Sequence, residues 1–257
     1  MSLVEFSQNG HIGTLTLNDP ERLNAMSENM AKEFKLLVAK LKKEKTLRVL
    51  ILTGAGRAFS SGGDLEMLKR MSRQSKALTQ KQLMAFYKSF LCVKDLPQPL
   101  IAQVNGHAIG AGFCLVLACD LRFAADNAKM GANFAKLGIS PGMGGTYNIT
   151  RLAGLTSAAE IMYTGSIYDS RAIEGFGLLN GVFTPEDLSN KVAGIAQTIA
   201  ANSPQAVQGI KRELAVVLHR TAEQMFVLDA KSQSICLAGP EAKEGLKAVE
   251  ERRVPKF

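Results

Sequence analysis

No run of about 18 uncharged apolar residues occurs in the 257-residue chain, so no membrane-spanning helix is expected. Its first residues, "MSLVEFSQNG", show neither the basic region nor the apolar stretch of a secretion signal, and a cytoplasmic location is the expectation. Cysteine is scarce and scattered. Cys92, Cys114, Cys119 and Cys236 form no CxxC pair and do not cluster with His11, His107 or His219. That argues against a zinc site and against a disulfide framework, and no metal is expected. The nucleotide and hydrolase signatures are missing as well. "GAGRAF" begins like GxGxxG but has Phe59 at the third glycine position, and there is no GxxxxGK[ST], GxSxG or HExxH. Repeats and low-complexity tracts are also absent.

What is present is an ordinary globular composition with a basic balance. The chain is 46% hydrophobic and 21% charged, which suits one large domain, or one domain with a small appendage. Its 31 basic and 23 acidic side chains give a formal charge of +8, which favours a polyanionic partner: a phosphorylated ligand, nucleic acid or a membrane surface.

The pattern along the chain predicts α/β architecture. Residues 1–18 alternate around Asn9-Gly10 and predict a hairpin. Ser27 precedes a helix with Phe34, Leu37, Val38 and Leu41 on one face, followed by the buried-strand run "RVLILTG" (48–54). The polar stretch Lys69–Lys81 is expected to be a flap. "LPQP" breaks the chain before the strand "LIAQVNG", and "LRFAA" (121–125) is another strand. A glycine-rich connection is expected over 137–154. Helices follow from Ser157, with starts at Ser170, Pro185 and Pro204. The expected division is an α/β core over 1–190 and a helical region over 191–257.

Two loops share one design: a strand, a turn of small residues and the start of a helix. They are "FSSGGDLEML" and "NGHAIGAGFCL", and "SPGMGGT" is a third glycine-rich turn. Small residues let a ligand approach the backbone, and the first amides of a helix have no internal partners. Such amides suit a phosphate or a developing oxyanion. Tight helix–sheet packing is the competing explanation for the same glycines.

Taken together, "LNDPERLNAM" (17–26), "AFSSGGDLEML" (58–68), "IAQVNGHAIGAG" (101–112), "ACDLRFAA" (118–125), "GISPGMGGT" (138–146), "RLAG" (151–154), "TGSIYDSRAIEGFGLLNGV" (164–182) and "EGLKAVEERR" (244–253) resemble the crotonase superfamily of enoyl-CoA hydratases and isomerases. The resemblance implies a crotonase-like spiral of ββα/βαβ repeats with C-terminal helices that trimerise, often as a dimer of trimers. It implies an acyl-CoA thioester as substrate, with coenzyme A part of that substrate and no separate cofactor. The amides that meet the thioester oxygen fall on Gly63 and Ala111. Coenzyme A contacts fall on Arg57, Ser61, Gly62, Asp64 and Leu65, with basic residues of the C-terminus near the phosphates.

The chain departs from the resemblance where proton transfer is concerned. Positions matching the two hydratase glutamates hold Cys114 and Phe134, and Gly142 stands where some isomerases carry aspartate. Ordinary two-glutamate hydration is therefore in doubt, because a positioned acid or base contributes typically 10²- to 10⁴-fold. Cys114, Asn133 and Tyr147 are the candidate substitutes; Asp64 is also readable as a helix cap and His107 as a structural hydrogen-bonder. Asp120 is expected to tie down the loop near Arg122. The leading function is a thioester-enolate enzyme of hydratase or isomerase type. Thioester hydrolysis or decarboxylation on the same fold is the alternative. A third reading, non-catalytic acyl-CoA or RNA binding, comes from the lysine stripe Lys32, Lys35, Lys40, Lys42 and Lys43. A solvated helix face explains the same stripe, and neither nucleic acid nor a membrane is the expected partner.

Overall fold

The computed structural model describes residues 2–257. The chain opens with an antiparallel hairpin of β1 (Val4–Asn9) and β2 (Ile12–Leu17). Asn9 pairs with Ile12, so the turn is Gly10-His11, one residue later than the Asn9-Gly10 signal suggests. This register turns Leu15 and Leu17 inward, and a one-residue slip would expose both. Helix α1 (Glu28–Leu41) starts at Ser27, whose hydroxyl accepts from the Met30 N–H at 3.2 Å. It buries Met30, Phe34, Val38 and Leu41, while Lys32, Lys35, Lys40, Lys42 and Lys43 all face solvent.

β3 (Val49–Gly54) and the short β4 (Ala58–Ser60) lead to α2 (Leu65–Met71) and α3 (Lys76–Leu91). The expected flap is thus two helix ends joined by residues 72–75. Its polar residues are the outer faces of helices whose inner faces are apolar: Phe86 and Phe90 pack together, and Phe90 meets Phe34 at a centroid distance of 5.1 Å. Then come β5 (Leu100–Val104), β6 (His107–Ile109), α4 (Ala111–Leu117), β7 (Leu121–Ala125) and β8 (Lys129–Gly131).

After β8 the expected glycine-rich connection ends early. Helix α5 (Gly145–Thr164) takes in most of "TYNITRLAG" and bends at Gly154. The next stretch is not purely helical: β9 (Tyr168–Asp169), α6 (Ser170–Gly175) and β10 (Gly181–Phe183) precede α7 (Pro185–Ala200). Three further helices complete the chain, α8 (Pro204–Leu214), α9 (Ala222–Ala238) and α10 (Pro240–Glu250).

The strands form two sheets. The larger runs β1-β2-β3-β5-β7-β10 and is parallel except at the β1–β2 hairpin; the smaller runs β4-β6-β8-β9, with β9 antiparallel. Parallel sheets need both faces covered, which explains near-continuous burial along β3 and β5. Helix α7 supplies part of that cover through Leu188, Val192, Ala196 and Ala200. The anticipated division near residue 190 falls inside this helix.

Candidate functional site

The site begins where the smaller sheet ends. β4 and β6 are parallel neighbours, so the loops that leave them emerge side by side. A Cβ on Gly62 would stand 2.6 Å from the Ile109 carbonyl oxygen and 3.4 Å from the Ala111 nitrogen. One turn further, a Cβ on Gly112 would stand 2.7 Å from Cβ of Ser60. Only glycine permits these two approaches, and they explain why both loops are rich in it.

Hydrogen bonds then fix the first loop. The Ser60 hydroxyl donates to the Asn24 carbonyl at 2.8 Å and accepts from the Gly62 N–H at 3.1 Å. The Met26 N–H donates to the Gly62 carbonyl at 2.7 Å, and the Asp64 N–H donates to the Met26 carbonyl at 3.2 Å. The amide between them, that of Gly63, has no acceptor among the described residues, and neither has that of Ala111. Two free N–H groups therefore stand on loops pressed against each other. A pair of such donors is equipped to hold a carbonyl oxygen or an oxyanion.

Asp64 is occupied otherwise. Its carboxylate caps α2 by accepting from the Met67 N–H at 2.7 Å and is paired with Arg22. Ser61 and Arg57 are exposed, Arg57 forms no ion pair among the described residues, and Leu65 holds an apolar side chain 61% exposed at the loop rim. Gly62, by contrast, is buried by Ile109.

The three candidate substitutes for the carboxylates stand in different surroundings. Cys114 is wholly buried in α4, against Gly145, and desolvation pushes its thiol up to about 12. Such a thiol stays protonated near neutrality and is a poor nucleophile. Asn133 does reach the loops: its Oδ1 lies beside Gly110, with the buried ring of Phe134 on the same side. Tyr147 turns away. It is 47% exposed, and its hydroxyl is hydrogen-bonded at 2.9 Å to Nε2 of His219, on which its ring stacks.

The structural readings of other side chains hold. His107 Nδ1 accepts from the Lys129 N–H at 3.0 Å. Asp120 accepts from the Leu100 N–H and pairs with Lys211, each at 2.8 Å, while the buried Arg122 donates to the carbonyls of Cys119 and Leu178. Two groups escaped the sequence reading. Asn24 is fully buried and ties the first loop by donating to the carbonyls of Ala55 and Ala58. Tyr87 of α3 lies against Gly142 and near Cys114. Asn24 lies within the quoted "LNDPERLNAM", but nothing in the helical pattern around Tyr87 marks it.

A parallel α/β core joins two glycine turns and leaves one free amide on each, and comparison with known proteins gives the chain a family. The model of the enoyl-CoA hydratase/isomerase family matches residues 7–257. A crotonyl-CoA hydratase of Syntrophomonas wolfei is 32% identical over 96% of this chain and 94% of its own. A short-chain-enoyl-CoA hydratase of Clostridium acetobutylicum is 29% identical, covering 99% and 97%. The crystal structure of an enoyl-CoA hydratase from Bacillus anthracis superposes with a TM-score of 0.93 at 31% identity, covering 99% of this chain and 98% of that one. The chain belongs to the enoyl-CoA hydratase/isomerase family. Among the described residues no helix is long and apolar enough to cross a membrane, and no group of three metal-binding side chains occurs.

Proposed function

We propose that this protein acts on an acyl-CoA thioester, with the Gly63 and Ala111 amides holding the thioester oxygen and stabilising the negative charge that develops on it: an enolate when water adds at the β carbon or a proton or carboxylate leaves the α carbon, a tetrahedral oxyanion in hydrolysis. The observation that carries this reading is the contact of the two glycine loops, which leaves one free N–H on each. Preorganised donors stabilise developing charge because they need no reorientation as the reaction proceeds. The exposed Ser61 and Arg57 and the apolar rim at Leu65 suit the coenzyme A portion, with Arg57 supplying positive charge for its phosphates.

The reaction itself has two readings. Hydration or isomerisation accords with the family. Thioester hydrolysis or decarboxylation is favoured by one observation: the positions expected to hold glutamates carry the buried Cys114 and Phe134, and Asp64 is taken up by its cap and Arg22. Incubation with enoyl-, malonyl- and hydroxyacyl-CoA esters, followed by mass spectrometry, separates the readings by the mass change of the product. Calorimetric titration with the same esters tests the common premise; absence of binding to all of them rejects the thioester site.

The C-terminal helices fit an oligomer, a homotrimer or a dimer of trimers. Leu214, Leu218, Phe226, Val227, Leu246 and Val249 are all exposed on or beside α8–α10, a density of apolar surface that a monomer seldom presents. Sedimentation equilibrium distinguishes a trimer or hexamer from a monomer. The lysine face of α1 is fully explained as the solvated side of an amphipathic helix, and RNA binding that persists at 200 mM salt is the result that would oppose that explanation.

A further inference from the structure

Between α2 and α3 lies a cavity of about 430 Å³, lined by Met71, Thr79, Leu83, Met84 and Tyr87 among others. The wall is mixed, with Met71, Leu83 and Met84 facing polar side chains that include Gln74 and Thr79, and its one phenol also meets the third glycine turn. A Cβ on Gly142 would overlap the Tyr87 hydroxyl, so Tyr87 lies directly on the loop that precedes α5. The same turn of chain runs on to Gly145, which donates its N–H to the Gly142 carbonyl at 2.9 Å and packs on Cys114. Tyr87 therefore joins the cavity to the interior side of the second glycine loop.

The wall also carries polar groups that have no partner among the described residues. The Tyr87 hydroxyl makes no hydrogen bond among the described residues. Gln74, on the same wall, has its Oε1 buried without a donor. Native proteins rarely leave such an acceptor unmet, and a ligand group or a bound water is the usual explanation. One free donor and one orphaned acceptor, both on the cavity wall, make a set complementary to a hydroxyl. A site built to bond an oxygen discriminates strongly against an analogue lacking it, because its own groups are then left unpaired.

We propose that Tyr87 is a specificity residue that touches the substrate, its hydroxyl donating a hydrogen bond to an oxygen carried on C3 or C4 of the acyl chain. The inference rests on the reading of Gly63 and Ala111 as the thioester site, since the acyl chain must run from those amides toward the cavity. Burial, with the neighbouring Cys114 adding to it, raises the Tyr87 pKa above the ordinary phenol value. The phenol is thus a neutral donor across the working range, suited to an uncharged oxygen or to a carboxylate.

The test is calorimetric and compares butyryl-CoA with 3-hydroxybutyryl-CoA and 4-hydroxybutyryl-CoA, on the intact chain and on Tyr87→Phe. The wild-type protein is expected to bind at least one hydroxy ester about tenfold tighter than butyryl-CoA, and Tyr87→Phe to abolish that preference. Equal affinity of the wild-type protein for all three esters overturns the proposal without recourse to any variant. So does a Tyr87→Phe protein that keeps the full preference. Failure of the wild-type protein to bind any of the three is a different outcome, because it rejects the thioester reading and this inference with it.

Discussion

The α/β core and the three C-terminal helices differ in what they do with apolar side chains. Helix α4 buries all seven of its residues, whereas α9 buries none, α8 only Gly209 and α10 only Ala248. The core satisfies itself within one chain, and the amides of the site are held by that self-sufficient packing. The C-terminal helices have apolar residues such as Phe226 and Val249 facing outward, at 66% and 77% exposure. The bonds that hold the Gly63 loop, from Asn24, Met26 and Ser60, all lie within the core.

Substitutions can break this contrast, and the largest effect is expected in the core. Phe113→Ala removes a wholly buried ring beneath the second glycine loop and is expected to cost about 3–5 kcal/mol of stability, measured by urea denaturation. The matching change on the other side, Phe226→Ser, is expected to stay within about 0.5 kcal/mol for the monomer while lowering the apparent mass in sedimentation. Equal losses from both would erase the distinction between the two regions.

Next in size is the loss of a single donor. Proline is tolerated at the first position of a helix, so Ala111→Pro deletes one N–H without breaking α4, and its Cδ also occupies the place where the N–H would meet the thioester oxygen. The expected result is a fall of about 10²- to 10³-fold in kcat, with the fold intact by circular dichroism. A variant with unchanged kcat would remove the Ala111 amide from the chemistry.

A smaller effect is expected at the edge of the first loop. Asp64→Ala removes the cap of α2 and the partner of Arg22, and about 1–2 kcal/mol of stability is expected to go with it, read from the denaturation midpoint. Arg22 is about half exposed, so its ion pair adds little beyond the cap. A loss above that range would show that Asp64 also supports the Gly63 amide.

How much of this was readable beforehand follows the same physics. The two glycine loops were visible because close backbone approach demands a residue type, and Gly62 and Gly112 leave that demand in the sequence. Ser27 and the apolar face of α1 were visible because capping and burial act within one turn. The hairpin turn shifted by a residue because inward-facing Leu15 and Leu17 set the register over the local dipeptide. Helix α9 was not delimited, because apolar residues spread round all its faces leave no periodicity. Tyr87 was invisible for another reason: it meets Gly142, 55 positions away in the chain, and no local pattern records such a contact.

Cys114 gives the smallest effect and the finest test of the core. Cys114→Ala is expected to cost on the order of 1 kcal/mol at pH 8, as one buried sulfur is lost, and to leave kcat unchanged. The pH dependence has a definite sign. The thiol titrates near 9.0 when unfolded and near 12 when buried, so the folded state retains a proton that the unfolded state releases. Its contribution is fully present below pH 9.0 and declines as pH rises toward 12. The stability gap between wild type and Cys114→Ala should therefore narrow between pH 8 and pH 10.5 in paired urea titrations. A gap that stays constant would mean the thiol is hydrated in solution, and a large loss of kcat with coenzyme A esters still bound would return Cys114 to the chemistry.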